Sequence, residues 1–193
     1  MIRIIAGELR GRRLAVGPGV RPTTERAREA LFSILGDEIR GARVLDAAAG
    51  SGALGFEALS RGAREAVFVE ANGRVGRLLV SNLERTGLEA RARVVVRPVS
   101  TWLVSERPGG FDVVFFDPPW ADPVLAELDG LWSALVPGGT LVVERGSPGE
   151  PWPSPPVEPA VRRYGTTSLF LYRRPGAASS STSAARGTDA AGR

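Results

Sequence analysis

The residues of this 193-residue chain that most directly suggest chemistry are Asp117-Pro118-Pro119-Trp120. Two consecutive prolines fix φ and remove backbone donors, so the segment must be a rigid turn rather than helix or ladder. Such a turn leaves the Pro118 carbonyl free to accept, offers the Asp117 carboxylate to a cleft, and presents a flat face on Trp120. Together these suit an exocyclic amine on a planar base. Its lone pair is delocalised into the ring, and two acceptors holding its N–H groups would draw the nitrogen toward sp³ geometry. Stacking on Trp120 would add ~1–3 kcal/mol per base. The base would have to be unpaired or flipped out, and most of the acceleration would come from positioning and electrostatics. Alone, the same residues would also serve as an ordinary strand-ending turn with a half-buried Trp.

A second motif changes that balance. Gly50-Ser51-Gly52-Ala53-Leu54-Gly55 is a G-x-G-x-x-G that follows a strand-like run and opens a helical one. Its small residues permit close backbone approach to a ligand, with helix N–H groups pointing outward. Asp46 ends the preceding strand, and Glu70 ends the next, where a carboxylate can accept from both ribose hydroxyls of an adenosine. An acid just before the glycines would repel a pyrophosphate but attract a cation. S-adenosylmethionine, with its sulfonium and ammonium, therefore fits better than a nicotinamide dinucleotide. An NAD-dependent oxidoreductase would match the glycines but leave Asp46 and the Asp-Pro-Pro-Trp turn without a role.

Composition narrows the chemistry further. There is no His and no Cys, and every one of the 25 basic residues is Arg. A His general base, a Ser-His-Asp or Cys-His nucleophile, a Cys/His zinc site, a disulfide, a Walker-A lysine and a Schiff-base lysine are all excluded. No metal is expected. Residues 1–43 carry nine Arg against five acids, whereas residues 44–193 carry sixteen of each, so the whole excess of four cations lies in the N-terminal fifth. Arg10, Arg12 and Arg13 crowd around Gly11 as a cluster of the kind that contacts phosphates. No apolar run approaches the ~18 residues of a membrane span, and Met1–Arg13 does not read as a signal peptide, so a cytoplasmic location is expected.

The elements that must position these groups follow from periodicity. Thr23–Leu35 reads as an amphipathic helix with Ala27, Ala30, Leu31, Ile34 and Leu35 inward, capped by Thr23 or Thr24, with Arg26 and Arg28 off the buried face. Strand-like runs at 44–47, 66–70, 93–98, 111–116 and 140–144 alternate with helical ones at 53–61, 73–85 and 124–135, the second stopped by Gly87. This alternation predicts a mostly parallel sheet with helices on both faces. Runs at 161–164 and 168–173, separated by Gly165-Thr166-Thr167, read as an antiparallel C-terminal hairpin, giving a Rossmann-like α/β fold. The segment 148–159 holds six prolines and reads as an extended loop, and Gly176–Arg193 as a disordered tail. The expected divisions are 1–42 as a basic hairpin-and-helix extension, 43–175 as the catalytic domain, and 176–193 as the tail.

Over residues 2–174 the chain resembles the bacterial 16S ribosomal RNA guanine-N2 methyltransferases of the RsmD type, which are class I S-adenosylmethionine-dependent enzymes. The most specific matches are Arg3-Ile4-Ile5-Ala6-Gly7 with Arg10-Gly11-Arg12, Arg21-Pro22-Thr23, and Arg28-Glu29-Ala30-Leu31-Phe32. Leu45-Asp46, the glycine loop with Ala49, Glu57–Ala63 and Asp117-Pro118-Pro119 complete the pattern. The resemblance implies cofactor contacts from Asp46, Ala48, Gly50, Ser51, Gly52, Leu54, Gly55, Glu70, Ala71, Val99, Ser100 and Asp117. It implies that Asp117, Pro118, Pro119 and Trp120 hold the guanine amine. It also implies RNA contact through Arg10, Arg12, Arg13, Arg21, Thr23, Arg26 and Arg28, with 16S rRNA of an assembled or assembling small subunit as partner. Trp120 departs from the Phe or Tyr usual after the prolines, and at the end of the third strand Arg97-Pro98-Val99-Ser100 offers Ser100 in place of the usual Asn. Alternatives from the same residues are an adenine-N6 methyltransferase acting on DNA or RNA, and a non-catalytic RNA-binding assembly factor on the same scaffold.

Overall fold

The structure is a computed structural model that describes residues 1–17, 23–118 and 125–177. Arg21, Pro119, Trp120 and all but the first two residues of the expected tail lie outside the described residues.

The chain opens with a short antiparallel hairpin, β1 (Ile2–Arg3) and β2 (Arg13–Leu14), followed by α1 (Glu25–Leu35) and a 3₁₀ turn over Gly36–Ile39. Strand–helix alternation then begins: β3 (Arg43–Ala47), α2 (Ala53–Ser60), β4 (Glu65–Glu70), α3 (Gly73–Thr86), β5 (Ala92–Val96), α4 (Val99–Glu106), β6 (Phe111–Phe116), α5 (Leu125–Ala134) and β7 (Leu135–Gly146). The final strands are β8 (Ala160–Tyr164) and β9 (Thr167–Arg173).

The sheet order is β5-β4-β3-β6-β7-β9-β8. The first five strands are parallel, and β9 pairs antiparallel with both β7 and β8. The chain winds outward from β3 through β4 to β5, then crosses back to start again at β6. The β3/β6 boundary is therefore the topological switch point, where ligands of open α/β sheets bind beyond the carboxyl ends of the strands.

The central strands are covered on both faces, which explains their continuous apolar runs. One face packs Val44, Phe68, Val113, Phe115 and Val142 against α1, α2, α3 and the hairpin residues Ile4 and Leu14. The other packs Leu45, Val67, Val114, Phe116 and Leu141 against Trp102 of α4, Leu128 and Leu131 of α5, and Trp152 of the proline-rich segment. Trp152 is fixed there by its N–H, which donates to Tyr172 Oη at 2.9 Å. All eight residues of α2 are buried, because the sheet lies on one side and the N-terminal hairpin on the other. No helix among the described residues is long and apolar enough to cross a membrane.

Several local expectations change. α1 starts at Glu25, since Thr24 is the N-cap whose hydroxyl accepts from Ala27 N–H at 3.2 Å, while Thr23 lies outside the helix. α4 was not anticipated: it buries only Trp102 fully, so its sequence carries no apolar stripe. β7 begins at Leu135, where it pairs with Phe111 ahead of a register shift. The C-terminal hairpin loop is Gly165-Thr166, because Thr167 already pairs with Tyr164.

Candidate active site

Strand register brings the singled-out acids to one rim. Asp46 lies beside Phe115, and Phe116 lies beside Val143. Asp117, just past the end of β6, and Glu144, near the end of β7, are each one residue further on and therefore lie side by side at about the 4.8 Å strand spacing. Glu70 ends β4, next to Val96 of β5. By the two-residue alternation of strands, all four carboxylates fall on the sheet face covered by α1 and α2.

Each acid has a distinct local task. Asp46 is 3% exposed, and its Oδ2 accepts from Gly55 N–H at 2.9 Å. It was expected to face a ligand, but its carboxylate is turned onto the first turn of α2 and holds the glycine loop in shape. Its pKa is pushed up to about 7 by burial, opposed by the Gly55 N–H, which favours the charged form, and aided by the nearby Glu70. Glu70 accepts from Gly50 N–H through Oε2 at 2.8 Å and from Asn72 N–H through Oε1 at 2.7 Å, tying the loop after β3 to the turn after β4. Each of its oxygens retains a second lone pair for a ligand hydroxyl.

Asp117 is half-buried, and Pro118 after it is buried. Desolvation raises the Asp117 pKa well above the usual carboxylate value, with Glu144 and then Asp46 adding repulsion. Glu144 is 4% exposed and accepts from Thr23 Oγ1–H at 2.8 Å. Its own pKa is raised by burial, opposed by the Thr23 and Thr167 hydroxyls. The sequence pattern assigns it no role, although it ends the apolar run 140–144 as Asp117 follows the run 111–116, and that position is the available signal. Among the described residues no three acids approach closely enough to hold a metal ion. Burial disfavours the charged forms of Asp46, Asp117 and Glu144, and an organic cation bound at this rim would favour them, so the arrangement suits such a ligand.

The glycine loop is built for close approach. Ala48, Gly50 and Gly52 all have positive φ, at 60°, 52° and 73°. For Ala48 this is a left-handed conformation that a side chain adopts at some cost, of the kind concentrated at ligand sites. A Cβ on Gly55 would lie 2.4 Å from Phe68, so only glycine lets α2 sit against β4. Ser51 is buried, and Leu54 points into the apolar core, so any contact Leu54 makes with a ligand must come from its backbone. Ala71 and Ser100 are exposed and Val99 half-buried, just beyond the ends of β4 and β5.

The expected RNA-contacting residues divide. Arg10, Arg12, Arg13 and Arg26 are exposed. Arg28 and Thr23 are not available. Arg28 is 1% exposed: its Nη2 donates to the Arg3 carbonyl at 2.5 Å, and its Nε lies 3.7 Å from Glu57 Oε2. The helical pattern places Arg28 off the buried face, but α1 packs on two sides, against the sheet and beneath the hairpin, and the second contact is invisible to a one-stripe helix pattern. Thr23 is buried on Glu144. Glu57, fully buried on α2, also escaped sequence reading: it binds the Arg61 Nε at 2.8 Å and two hairpin amides.

Comparison with known proteins extends these observations. A family model described as conserved hypothetical protein 95 matches residues 2–173. The Escherichia coli K12 protein named ribosomal RNA small subunit methyltransferase D is 45% identical over 128 residues, 65% of this chain. That match spans 64% of the relative, just under two thirds of its length. YlbH of Bacillus subtilis strain 168 is 33% identical over 185 residues, 91% of this chain and 100% of that protein. A solved structure of a hypothetical protein from a Thermus species is 37% identical with a TM-score of 0.76, covering 89% of this chain and 98% of that one. The family match runs from the N-terminal hairpin through the glycine loop and the Asp-Pro-Pro turn to β9, and the chain belongs to this family, the RsmD type.

Proposed function

We propose that the chain is an S-adenosylmethionine-dependent methyltransferase acting on the exocyclic N2 amine of a guanine in 16S rRNA of the small ribosomal subunit, in the cytoplasm. The observation that carries this reading is the set of four carboxylates at the switch-point rim, with Asp117-Pro118 leaving β6 in its midst. The name of the Escherichia coli relative supports ribosomal RNA as the substrate.

The residues fit the cofactor. The glycine loop with its positive-φ positions admits a ligand at close range, Glu70 can accept from ribose hydroxyls, and the acidic rim favours a sulfonium and an ammonium. When bound, S-adenosylmethionine would supply an electrophilic methyl group for the amine lone pair. Asp117 and the Pro118 carbonyl accept from the two N–H groups of the amine and orient its lone pair. Asp117, whose pKa burial raises, is suited to receive the proton the amine loses. Residues 1–42 form the RNA-contacting extension, with Arg10, Arg12, Arg13 and Arg26 as the exposed cations, and residues 43–175 form the methyl-transfer domain.

The test is transfer of labelled methyl from S-adenosylmethionine to 16S rRNA, free or in small subunits, with the modified nucleoside identified. Label in N2-methylguanosine supports the proposal. Label in N6-methyladenosine redirects it, and no transfer to either substrate refutes it.

A further inference from the structure

Three buried polar side chains of the body grip the backbone of the N-terminal hairpin. Glu57 accepts from Ile5 N–H at 2.8 Å and from Ala6 N–H at 3.0 Å. Ser60 Oγ donates to the Ala6 carbonyl at 2.5 Å and accepts from Leu9 N–H at 3.0 Å, while its carbonyl accepts from Glu8 N–H at 2.8 Å. Asn82 of α3 accepts from Ala15 N–H and donates to the Ala15 carbonyl, both at 2.9 Å, completing the two hydrogen bonds that a neighbouring strand would make. Gly7, at φ +83°, is seated so tightly that a Cβ would lie 1.8 Å from the Ser60 carbonyl oxygen.

All of these contacts address main-chain groups of the hairpin. Its arginines are left outward: Arg10, Arg12 and Arg13 are exposed, and none makes an ion pair among the described residues. A two-stranded hairpin standing alone is marginal in water. If it became ordered only on meeting RNA, the entropy lost would be subtracted from affinity. Ile4 and Leu14 in the core, together with the three polar grips, remove that cost in advance.

We propose that Glu57, Ser60 and Asn82 are positioning residues for RNA recognition, holding the hairpin in its RNA-binding shape before RNA arrives. This rests on the RNA-methylation reading above and adds to it a preformed clamp. Two of the three residues lie on α2, the helix that the glycine loop opens. The cofactor loop leads into the N-terminus of this one buried helix and the hairpin is held by its C-terminal half, which sets the distance between the phosphate grip and the methyl donor.

Amide exchange in the full chain, without RNA, reads the grip directly. The Ile5, Ala6, Leu9 and Ala15 amides should be protected, and Asn82→Ala should release Ala15 while Ile5 and Ala6 stay protected. The same variant should bind a 16S rRNA transcript about tenfold more weakly, with S-adenosylmethionine affinity within about twofold of wild type, since only preorganisation of the clamp is lost. Free exchange of those amides in the wild-type protein would overturn the proposal. So would undiminished RNA affinity in the variant, or a parallel loss of cofactor affinity, which marks a merely structural role. Should Asn82→Ala fail to fold, Ser60→Ala removes one hydroxyl from α2 and repeats both measurements, with Leu9 as the released amide. Binding of the transcript without methylation would refute the enzymatic reading and leave the clamp to be decided by exchange and affinity.

Discussion

The acidic rim and the basic hairpin handle charge in opposite ways. At the rim, charged side chains are drawn inside: Asp46 and Glu144 are almost wholly buried, and loop N–H groups and Thr hydroxyls are turned onto Asp46, Glu70 and Glu144. In the hairpin the main chain is buried and gripped, while the arginine side chains stay in solvent. On the proposed function the difference follows from the partners. A small cation in a crevice is held by a strong local field, which requires desolvated carboxylates. A polyanion is held by releasing its counterions, which requires exposed cations in a fixed array. The two regions meet at α2, with Asp46 bound to its first turn and Glu57 to the hairpin.

The sharpest way to break this contrast is to remove chemistry from one region and leave the other intact. Asp117→Ala should reduce methyl transfer by about 10²–10³-fold, as for loss of a single preorganised electrostatic group, with RNA binding unaltered. Equal loss of RNA affinity would merge the two regions into one surface. Next in size, replacing Arg10, Arg12 and Arg13 together with Ala should weaken RNA binding and lower the magnitude of its log–log salt slope by about 2–3, close to one for each phosphate no longer neutralised. Cofactor affinity should be unchanged, and an unaltered salt slope would place the RNA elsewhere.

A third prediction concerns stability. Asp46 titrates near pH 7 in the folded protein against an ordinary value of 3.8. Between those values the folded state holds a proton that the unfolded chain releases, so this group increasingly disfavours folding as pH rises from about 4 to about 7. Asp46→Asn keeps an acceptor for Gly55 N–H and lacks the penalty. Its stability relative to wild type should therefore rise through that window by at most roughly 4 kcal/mol. Urea unfolding at pH 5 and pH 8 checks this, and a pH-independent difference would contradict it. The smallest effect belongs to the Arg3–Glu25 pair, 3.1 Å apart and more than half exposed at both ends. Glu25→Gln should change stability by less than ~1 kcal/mol, and a larger loss would show that the hairpin depends on that pair.

Legibility in the sequence also differs between these regions. β6 was read at both ends, and β3 and β4 to within a residue, because each is a short apolar run closed by an acid or a turn. The strand-end positions of Asp46, Glu70 and Asp117 followed from the same runs. Glu144 was passed over because it stands in no recognisable motif, and its position beside Asp117 depends on the pairing of β6 with β7. Asp46 was placed on the rim, but its turn toward Gly55 depends on φ values in the loop that no residue type reveals. α4 lacked a stripe to betray it. The hairpin was the least legible region. Glu57, Ser60 and Asn82 touch backbone atoms up to 67 residues away in the chain, and such contacts leave no periodic trace. Arg28 misled because a buried arginine and a solvent-facing one look alike in sequence.

The most direct measurement is nucleoside mass spectrometry of 16S rRNA treated with labelled S-adenosylmethionine and either wild-type protein or Asp117→Asn. The wild-type protein should place label in N2-methylguanosine at a single position, and the variant should place none. Label that persists undiminished in the Asp117→Asn reaction, or that the wild-type protein places elsewhere than a guanine amine, would contradict the assignment of this site.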